Sequence, residues 1–164
     1  MDTASRRRVY ERLDELGISY QVSEHPPVYT VEEMENLGLG RIGAIVKNLF
    51  LRDNKGSRHF LALARQDKKI DLKALRSAIG STPLRFASAE RLAQYLGLEK
   101  GAVSPFGLFN DSERAVEVLI DEDLFDSALV GVHPNDNEAT VWLAPADLEL
   151  VIQEQGQRIT HLKV

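Results

Sequence analysis

Residues 43–53 read GAIVKNLFLRD, an apolar run interrupted only by a lysine and an asparagine near its middle. A second apolar run, HFLALAR, occupies residues 59–65, and the polar, glycine-containing sequence DNKGS begins the connection between them. Two apolar runs of this length joined by a turn sequence predict the strands of a β-hairpin. This hairpin is the element around which the remaining predictions are arranged.

Lys47 is the unusual residue of the first strand, because lysines are rarely buried completely. Side chains alternate along a strand, so Lys47 shares a face with Leu49 and Leu51, while Asn48 and Phe50 take the other face. Such a lysine either extends its ammonium group to water or lies at the mouth of a site. The strand alone leaves these two interpretations equally open.

Helix signals occur on both sides of the hairpin, and further strand-like runs follow it. Apolar spacing, capping residues and terminal glycines predict helices at Val9–Leu16 before Gly17, at VEEMENL after a Thr30–Glu33 capping box, between Asp71 and Gly80, between Ser88 and Gly97, and between Pro145 and Gly156. Strands are predicted at ISYQV, LRFA and AVEVLID, in a second hairpin of LVGVHP and EATVWLA, and at QRITHLKV as an edge strand. Because no regular βαβ repeat appears, the fold class predicted is α+β, with a mixed, largely antiparallel sheet flanked by helices.

Composition restricts the class of protein. A chain of 164 residues with 43% hydrophobic residues fits one soluble globular domain, 1–164. The absence of cysteine excludes disulfides, thiolate nucleophiles and cysteine-ligated zinc, and the four histidines show no metal-binding spacing. No apolar stretch approaches a membrane span or a secretory signal, so we expect a cytoplasmic protein without metal or cofactor.

Charge is distributed unevenly along the chain. The net charge is −5, which argues against a generic nucleic-acid binder. However, residues 1–100 contain 17 Lys and Arg against 13 Asp and Glu, whereas residues 101–164 contain 3 against 12. This asymmetry permits a basic face that attracts an anionic ligand.

The sequence GLGRIG at 38–43 matches the GxGxxG fingerprint of dinucleotide-binding proteins. That fingerprint has to follow a strand and open a helix, so that the pyrophosphate meets the helix N-terminus. Here it follows a predicted helix and precedes a predicted strand. A helix-ending loop is therefore the preferred interpretation over a nicotinamide oxidoreductase.

Three further segments contain candidate site residues. The loop GAVSP, Gly101 to Pro105, has the glycine and proline that let a rigid backbone approach a ligand. In GVHP, Gly131 to Pro134, His133 can exchange a proton near neutral pH. In HPPVYT, Val28 and Tyr29 either form the wall of a pocket or join the core. Each segment alone is equally compatible with a turn or a packing role.

Taken together, HPPVYT, GAIVKNLFLRD, GAVSPFGL and GVHPNDNEATVWL, in this order, resemble the YbaK/prolyl-tRNA-synthetase-associated editing domain family. KNLFL and HPPVYT are similar to its free-standing ProX type, a trans-acting deacylase of mischarged alanyl-tRNA(Pro). The resemblance implies a YbaK-like, partly barrel-like sheet flanked by helices, with the aminoacyl-adenosine end of tRNA(Pro) in a central pocket. It also implies contact with the acceptor end of tRNA(Pro) and a transient association with prolyl-tRNA synthetase.

The resemblance also assigns roles to individual residues. It implies that Lys47 is the essential lysine and that Asn48 and His133 are further catalytic positions. The substrate-binding positions that it implies are Val28, Tyr29, Thr30, Gly101, Ala102, Val103, Ser104, Pro105, Val130 and Gly131.

Those residue types suit ester hydrolysis. Attack of water on the ester creates an oxyanion, which the Lys47 ammonium and backbone N–H groups of the 101–105 loop can stabilise. No enzyme nucleophile is implied, and the terminal ribose hydroxyl would help to position the water. A pocket that admits alanine and excludes proline by size would provide the selectivity of a second sieve. Two alternatives remain, a cysteinyl-tRNA(Pro) deacylase and a non-catalytic tRNA-binding module.

Overall fold

The computed structural model describes residues 3–28 and 30–163. In that part of the chain the helices are α1 (Thr3–Glu15), α2 (Val31–Asn36), α3 (Leu72–Ile79), α4 (Ala89–Leu96) and α5 (Pro145–Gln155). The strands are β1 (Gln21–Glu24), β2 (Ala44–Arg52), β3 (His59–Arg65), β4 (Arg85–Phe86), β5 (Val116–Asp121), β6 (Val130–Val132), β7 (Ala139–Leu143) and β8 (Ile159–Leu162). Short 3₁₀ helices occupy Leu39–Arg41, Pro105–Asn110 and Glu122–Asp126.

Side-chain caps begin the helices where the sequence predicts them. Thr30, Asp71 and Ser88 each accept a hydrogen bond from a backbone N–H two or three residues further on, at 3.1, 2.9 and 3.2 Å. Each cap satisfies one of the donors that a helix start leaves without an intrahelical partner. Gly80 and Gly97 adopt the left-handed conformation that ends α3 and α4.

The first strand starts later than predicted. The pattern ISYQV indicates a strand from Ile18, whereas β1 begins at Gln21, opposite Trp142. Ile18 is still part of the α1 terminus, because its backbone N–H donates to the Leu13 carbonyl at 3.0 Å. That bond uses the donor that strand pairing would need, so pairing begins further along.

The sheet has the strand order β1-β7-β6-β2-β3-β5-β8, with β4 paired to β2. The pairs β1–β7, β6–β7, β2–β3 and β2–β4 are antiparallel, and the pairs β2–β6, β3–β5 and β5–β8 are parallel. Both predicted hairpins are present, and β8 lies at an edge. The predicted α+β class with a mixed, largely antiparallel sheet is confirmed.

One face of the sheet encloses the main core. Side chains from β2, β3, β5, β6 and β7 meet those of α1, α4 and α5 there, so the sheet curves around this core as a partial barrel. On the other face, a second cluster containing Leu51 and Phe60 packs beneath α3. A third cluster, which contains Ile45, Met34 and Trp142, packs beneath α2.

The GLGRIG segment ends a helix and does not begin one. Gly38, at φ 72°, follows α2 and donates its N–H to the Glu35 carbonyl at 2.9 Å. A single 3₁₀ turn then leads directly into β2. The interpretation as a helix-ending loop is confirmed. No helix within the described ranges is long and apolar enough to cross a bilayer.

Candidate active site

Strand β2 has a gap along one of its edges. On one side it pairs with β3 from Val46 to Arg52. On the other side it pairs with β6 only at Ala44 and Ile45, and with β4 only at Leu51 and Arg52. Among the described residues, no strand therefore pairs with residues 46–50 along that edge. The predicted lysine and asparagine lie within this gap.

Two adjoining cavities open beside the gap. The α2 cavity, of about 190 Å³, is bordered by Thr30 and Met34 at α2, and the β4 cavity, of about 340 Å³, is bordered by Phe86 of β4. The residues that line both cavities are Val46, Lys47, Gly101 and His133. Three predicted site residues that are far apart in the sequence are thus brought together where the cavities meet.

Lys47 is half-buried between two apolar clusters. Its strand face carries Ile45, which packs beneath α2, and Leu51, which packs beneath α3. Its ammonium group donates a hydrogen bond to the backbone carbonyl of Lys68. No carboxylate in residues 3–28 or 30–163 approaches that ammonium within 4.0 Å. Within those residues the Lys47 ammonium has no carboxylate partner, so its charge is available to a ligand.

Lys68 is itself fixed by two carboxylates. Its ammonium lies 2.7 Å from the fully buried Asp121 carboxylate and 2.6 Å from that of Asp123. Burial lowers the pKa of Lys68, but the hydrogen bonds to Asp121 and Asp123 outweigh burial and leave the pKa raised. Lys68 consequently stays charged and anchored, which holds in place the carbonyl that Lys47 contacts.

Asn48 lies on the opposite strand face, between the core residues Val46 and Phe50. It lines the β4 cavity, and its amide nitrogen reaches only the Val46 carbonyl, at 3.5 Å. Its side-chain oxygen is buried and accepts no hydrogen bond from the residues that the structure describes. An unsatisfied buried acceptor is costly, so Asn48 is suited to receive a donor from a ligand.

His133 is half-buried at the junction of the cavities. Its Nδ1 lies 3.2 Å from the Ala139 carbonyl, an acceptor, so Nδ1 carries the proton and Nε2 keeps its lone pair in the neutral ring. Burial lowers the pKa of His133, and the hydrogen bond to Ala139 opposes this only in part. The imidazole is therefore neutral at pH 7.

The 101–105 loop contributes unequally to the site. Gly101, at φ 97°, lines both cavities, and Val103 lines the β4 cavity. The Ala102 N–H donates to the Glu99 carbonyl at 3.1 Å, whereas the N–H groups of Gly101 and Val103 have no acceptor within the described ranges. Ala102 faces a different cavity, which Asp136 and other polar residues line. Because Gly101 and Val103 also line the cavities, their N–H groups are the candidate donors of this loop to a ligand.

Ser104 and Pro105 support the loop from within. Ser104 is fully buried, donates its hydroxyl to the His133 carbonyl and accepts the Phe106 N–H at 3.1 Å. Pro105 is buried at the start of the 3₁₀ helix that follows. Ser104 therefore ties the loop directly to the strand end that carries His133.

The remaining predicted positions divide into two groups. Val28 and Thr30 line the α2 cavity, and Tyr29 lies outside the described residues. Val130 is fully buried in the main core, and Gly131 packs against the Trp142 ring, which would lie 2.6 Å from an added Cβ. Neither Val130 nor Gly131 lines the two cavities, and both serve the packing of β6.

Several cavity residues were not predicted from the sequence. They are Met34, Ile45, Val46 and Gln66 in the α2 cavity, and Leu49, Phe50, Phe86 and Lys100 in the β4 cavity. Ile45 and Leu49 could have been identified, because strand alternation places them on the face of Lys47. Val46 and Phe50 lie on the opposite face of β2, beside Asn48, whereas Met34, Gln66, Phe86 and Lys100 come from segments that no local pattern connects with β2. A further cavity of about 470 Å³ lies beside the GLGRIG loop and shares only Ile45 and Gln66 with the α2 cavity.

Comparison with known proteins identifies the family of this chain. Residues 25–150 match the model of the aminoacyl-tRNA editing domain. The chain is 53% identical over all of its 164 residues to the full length of the prolyl-tRNA editing protein ProX of Acetoanaerobium sticklandii. It is 37% identical to prolyl-tRNA synthetase associated domain-containing protein 1 of Danio rerio, over 91% of this chain and 82% of that protein.

A longer protein and a solved structure are also similar to this chain. A 27% identical match covers 68% of this chain but only 19% of a proline–tRNA ligase of Lactiplantibacillus plantarum. A crystal structure proposed to be a trans-editing enzyme for prolyl tRNA synthetase superposes with a TM-score of 0.75, at 26% identity, over 100% of this chain and 99% of the other. The enzyme class expected from the sequence, an aminoacyl-tRNA deacylase, is confirmed. The chain belongs to the aminoacyl-tRNA editing domain family.

Proposed function

We propose that this protein hydrolyses alanyl-tRNA(Pro) and releases alanine and free tRNA(Pro). The observation that carries the proposal is the meeting of two cavities of unequal size beside the Lys47 ammonium. An ester with a small acyl group on one side and a nucleoside on the other matches this arrangement. Full-length similarity to a prolyl-tRNA editing protein supports tRNA(Pro) as the nucleic-acid part of the substrate.

The α2 cavity is the proposed site of the alanyl side chain. Its walls include the apolar residues Val28, Met34 and Ile45. Its volume of about 190 Å³ lies below the range of roughly 300–1,000 Å³ that is typical of sites for larger ligands. A cavity of about 190 Å³ holds a methyl group and is also larger than a proline ring, so the proposed exclusion of proline depends on how closely the walls approach the acyl group and not on the total volume. Steric exclusion of this kind supplies the discrimination that binding of a smaller side chain cannot.

Hydrolysis requires stabilisation of the negative charge that forms on the ester oxygen. Water adds to the carbonyl carbon, the bond from that carbon to the ribose oxygen breaks, and the proton from water ends on the ribose oxygen. The proposed donors to the oxyanion are the Lys47 ammonium and the N–H groups of Gly101 and Val103, which have no acceptor in the part of the chain that the structure describes. Fixed donors of this kind account for a large part of the rate in ester hydrolysis.

His133 and Asn48 are proposed to orient the reactants. Neutral His133 presents an Nε2 lone pair that can accept a hydrogen bond from water or from the substrate. The buried oxygen of Asn48 has no donor among the described residues, and a hydroxyl or amino group of the substrate would supply one. Neither residue is needed as a nucleophile.

The proposed partner is the acceptor end of tRNA(Pro). The partial match to a proline–tRNA ligase supports a transient contact with prolyl-tRNA synthetase as well. No metal or cofactor takes part in the proposed reaction.

The test is deacylation of alanyl-tRNA(Pro) by the wild type, Lys47→Ala and the control Lys55→Ala. Lys55 is an exposed lysine in the turn between β2 and β3. We expect the Lys47→Ala rate to fall by about 100-fold or more, as on loss of an oxyanion donor, and the control to match the wild type. Equal rates for Lys47→Ala and the wild type would remove the role assigned to Lys47.

The same assay separates the alternatives. Faster hydrolysis of cysteinyl-tRNA(Pro) than of alanyl-tRNA(Pro) would reassign the substrate. Binding of both tRNAs without hydrolysis, at enzyme in excess over substrate, would leave the non-catalytic binding module as the function. Prolyl-tRNA(Pro) should remain intact with the wild type.

A further inference from the structure

Phe86 is an aromatic side chain that the fold leaves exposed at the rim of the β4 cavity. Its exposed fraction is 62%, the highest among the large hydrophobic residues described as exposed. The backbone around it is nevertheless fixed, because β4 pairs with β2 through Leu51 and the Ala87 N–H donates to the Phe50 carbonyl at 2.9 Å. An exposed ring on a fixed backbone at a cavity rim is suited to stack on a planar ligand group.

A cation lines the same cavity as this ring. Lys100 borders the β4 cavity together with Phe86, whereas Arg85 precedes Phe86 on β4 and has its side chain on the opposite face of that strand. Neither cation lies within 4.0 Å of a carboxylate of residues 3–28 or 30–163, whereas Arg6, Arg58 and Lys68 all form ion pairs. An aromatic platform beside unpaired cations is the combination by which proteins hold single-stranded nucleic acid.

The two cavities differ in volume and in the side chains that line them, and this difference indicates the direction of the substrate. The α2 cavity is the smaller one, and Val28, Met34 and Ile45 line it beside the polar Thr30 and Gln66. The β4 cavity, at about 340 Å³, falls within the range of small-molecule sites and includes Phe86, Lys100 and the unsatisfied Asn48 oxygen. A nucleoside offers a base to stack, hydroxyl groups to donate and a 5′-phosphate to pair with a cation. These match the three features of the β4 cavity.

We propose that the β4 cavity binds the terminal nucleoside of the acceptor end, with its base stacked on Phe86 and its 5′-phosphate near Lys100. This inference rests on the proposed function, because it assigns the other half of the same ester. The ester then lies beside Lys47, with the amino acid directed towards α2 and the tRNA leaving past β4. The Asn48 oxygen accepts a hydrogen bond from the nucleoside.

The direct test uses tRNA(Pro) with 2-aminopurine in place of the terminal adenine, whose fluorescence is quenched on stacking. We expect quenching by the wild type and by Phe86→Tyr, and its loss with Phe86→Leu, which keeps an apolar side chain but has no aromatic face. The control is Phe125→Leu, because Phe125 is also exposed but lies outside both cavities. Equal quenching by Phe86→Leu and the wild type would overturn the proposal, and so would the absence of quenching by the wild type.

Kinetics give a second readout. Phe86→Leu should raise the KM for alanyl-tRNA(Pro) by about 5- to 100-fold, the range that stacking of one base provides. Thermal unfolding at the wild-type temperature would verify that this variant is folded, as expected for an exposed side chain. An unchanged KM would contradict the proposal, and it would favour a protein partner as the group that covers Phe86. An equal rise in KM for Phe125→Leu would also contradict it.

The phosphate contact is tested by salt dependence. Removal of one contact to a single strand should reduce the slope of log affinity against log salt by about 0.7. We expect this change for Lys100→Gln and not for Lys55→Gln, and equal slopes would contradict the position of the phosphate. If the wild type deacylates alanyl-tRNA(Pro) while these variants behave normally, the proposed function stands and only this inference fails. If the wild type quenches 2-aminopurine but does not hydrolyse alanyl-tRNA(Pro), the position of the nucleoside stands and the proposed hydrolysis fails.

Discussion

The Lys47 ammonium donates a hydrogen bond to the backbone carbonyl of Lys68, and the side chain of Lys68 is held by Asp121 and Asp123. The position of the candidate catalytic cation thus depends on an ion-pair cluster that lies outside both cavities. Asp121 is fully buried at the end of β5, so the cluster is built into the sheet. Activity should consequently be sensitive to residues that do not contact the substrate.

Asp121→Asn should lower kcat by about 10- to 100-fold, because a small displacement of a catalytic group has effects of this size. The KM should change little, since Asp121 does not line the cavities. The measurement is single-turnover deacylation of alanyl-tRNA(Pro) together with thermal unfolding. Glu117→Gln is the matched control. Glu117 lies on β5, as Asp121 does, and this substitution breaks the ion pair of Glu117 with Arg58, away from Lys47. An equal loss of kcat in both variants would indicate general destabilisation.

Met34→Ala should weaken discrimination against proline. Met34 is buried and lines the α2 cavity, so its truncation enlarges the space proposed for the alanyl side chain. We expect the ratio of deacylation rates for alanyl- and prolyl-tRNA(Pro) to fall by at least about tenfold, the effect of roughly one methylene or more. Leu39→Ala in the same apolar cluster does not line this cavity and should keep the wild-type ratio. An unchanged ratio in Met34→Ala would place the amino acid elsewhere.

The pH dependence of activity should report the protonation of His133. Burial lowers the pKa of His133, so the ring remains neutral to a pH below its ordinary value of 6.5. Protonation removes the Nε2 acceptor, so kcat should decline only as pH falls below about 6.5. His133→Gln, whose side chain does not titrate in this range, should show a lower kcat and a flatter acid limb. An acid limb with the same midpoint in the variant would assign it to another group.

Stability should also fall with acidity through His59. His59 is buried, its ring centroid lies 4.0 Å from that of Tyr95, and its Nε2 lies 2.9 Å from the Arg91 guanidinium. Burial, and then the charge of Arg91, lower the pKa of His59. Below about pH 6.5 the His59 side chain therefore binds a proton in the unfolded chain but not in the folded chain. As pH falls through this range, the free energy of unfolding decreases by up to about 1.4 kcal/mol per pH unit. This loss continues until the pH reaches the folded pKa.

Urea denaturation at pH 7.0 and pH 5.5 would measure this effect. His59→Gln should be less stable at both values, because it removes a buried ring that packs against Tyr95. The difference between its two free energies should nevertheless be smaller than in the wild type. A difference as large as in the wild type would assign the pH dependence to other groups, with His133 the next to test by the same comparison.

Gly131→Ala should act on stability and not on binding. An added Cβ would lie 2.6 Å from the Trp142 ring and 2.9 Å from Thr140, so β6 or the ring has to move. We expect a loss of about 1–3 kcal/mol in the free energy of unfolding, the usual effect of overpacking, with an unchanged KM for the folded enzyme. Urea denaturation and steady-state kinetics measure the two quantities. A selective rise in KM at wild-type stability would return Gly131 to the substrate-binding residues.

Local patterns predicted most of the elements correctly. Thr30, Asp71 and Ser88 cap the helices that their sequences indicate, and GAIVKNLFLRD pairs with HFLALAR as a hairpin. Caps and turns depend on hydrogen bonds between residues that are few positions apart, so the sequence contains all the information they need. The start of β1 was predicted incorrectly because the Ile18 N–H closes α1, a competition that alternation of side chains does not reveal.

The sequence by itself determined that Lys47 and Asn48 occupy opposite faces of a central strand, and family motifs indicated that both belong to a site. Only the tertiary structure decided what surrounds them. The gap between β6 and β4, the Lys68 carbonyl, and the positions of Gln66, Phe86 and Lys100 arise from packing between segments far apart in the chain. Such contacts minimise the free energy of the whole fold, so no pattern within one segment can specify them.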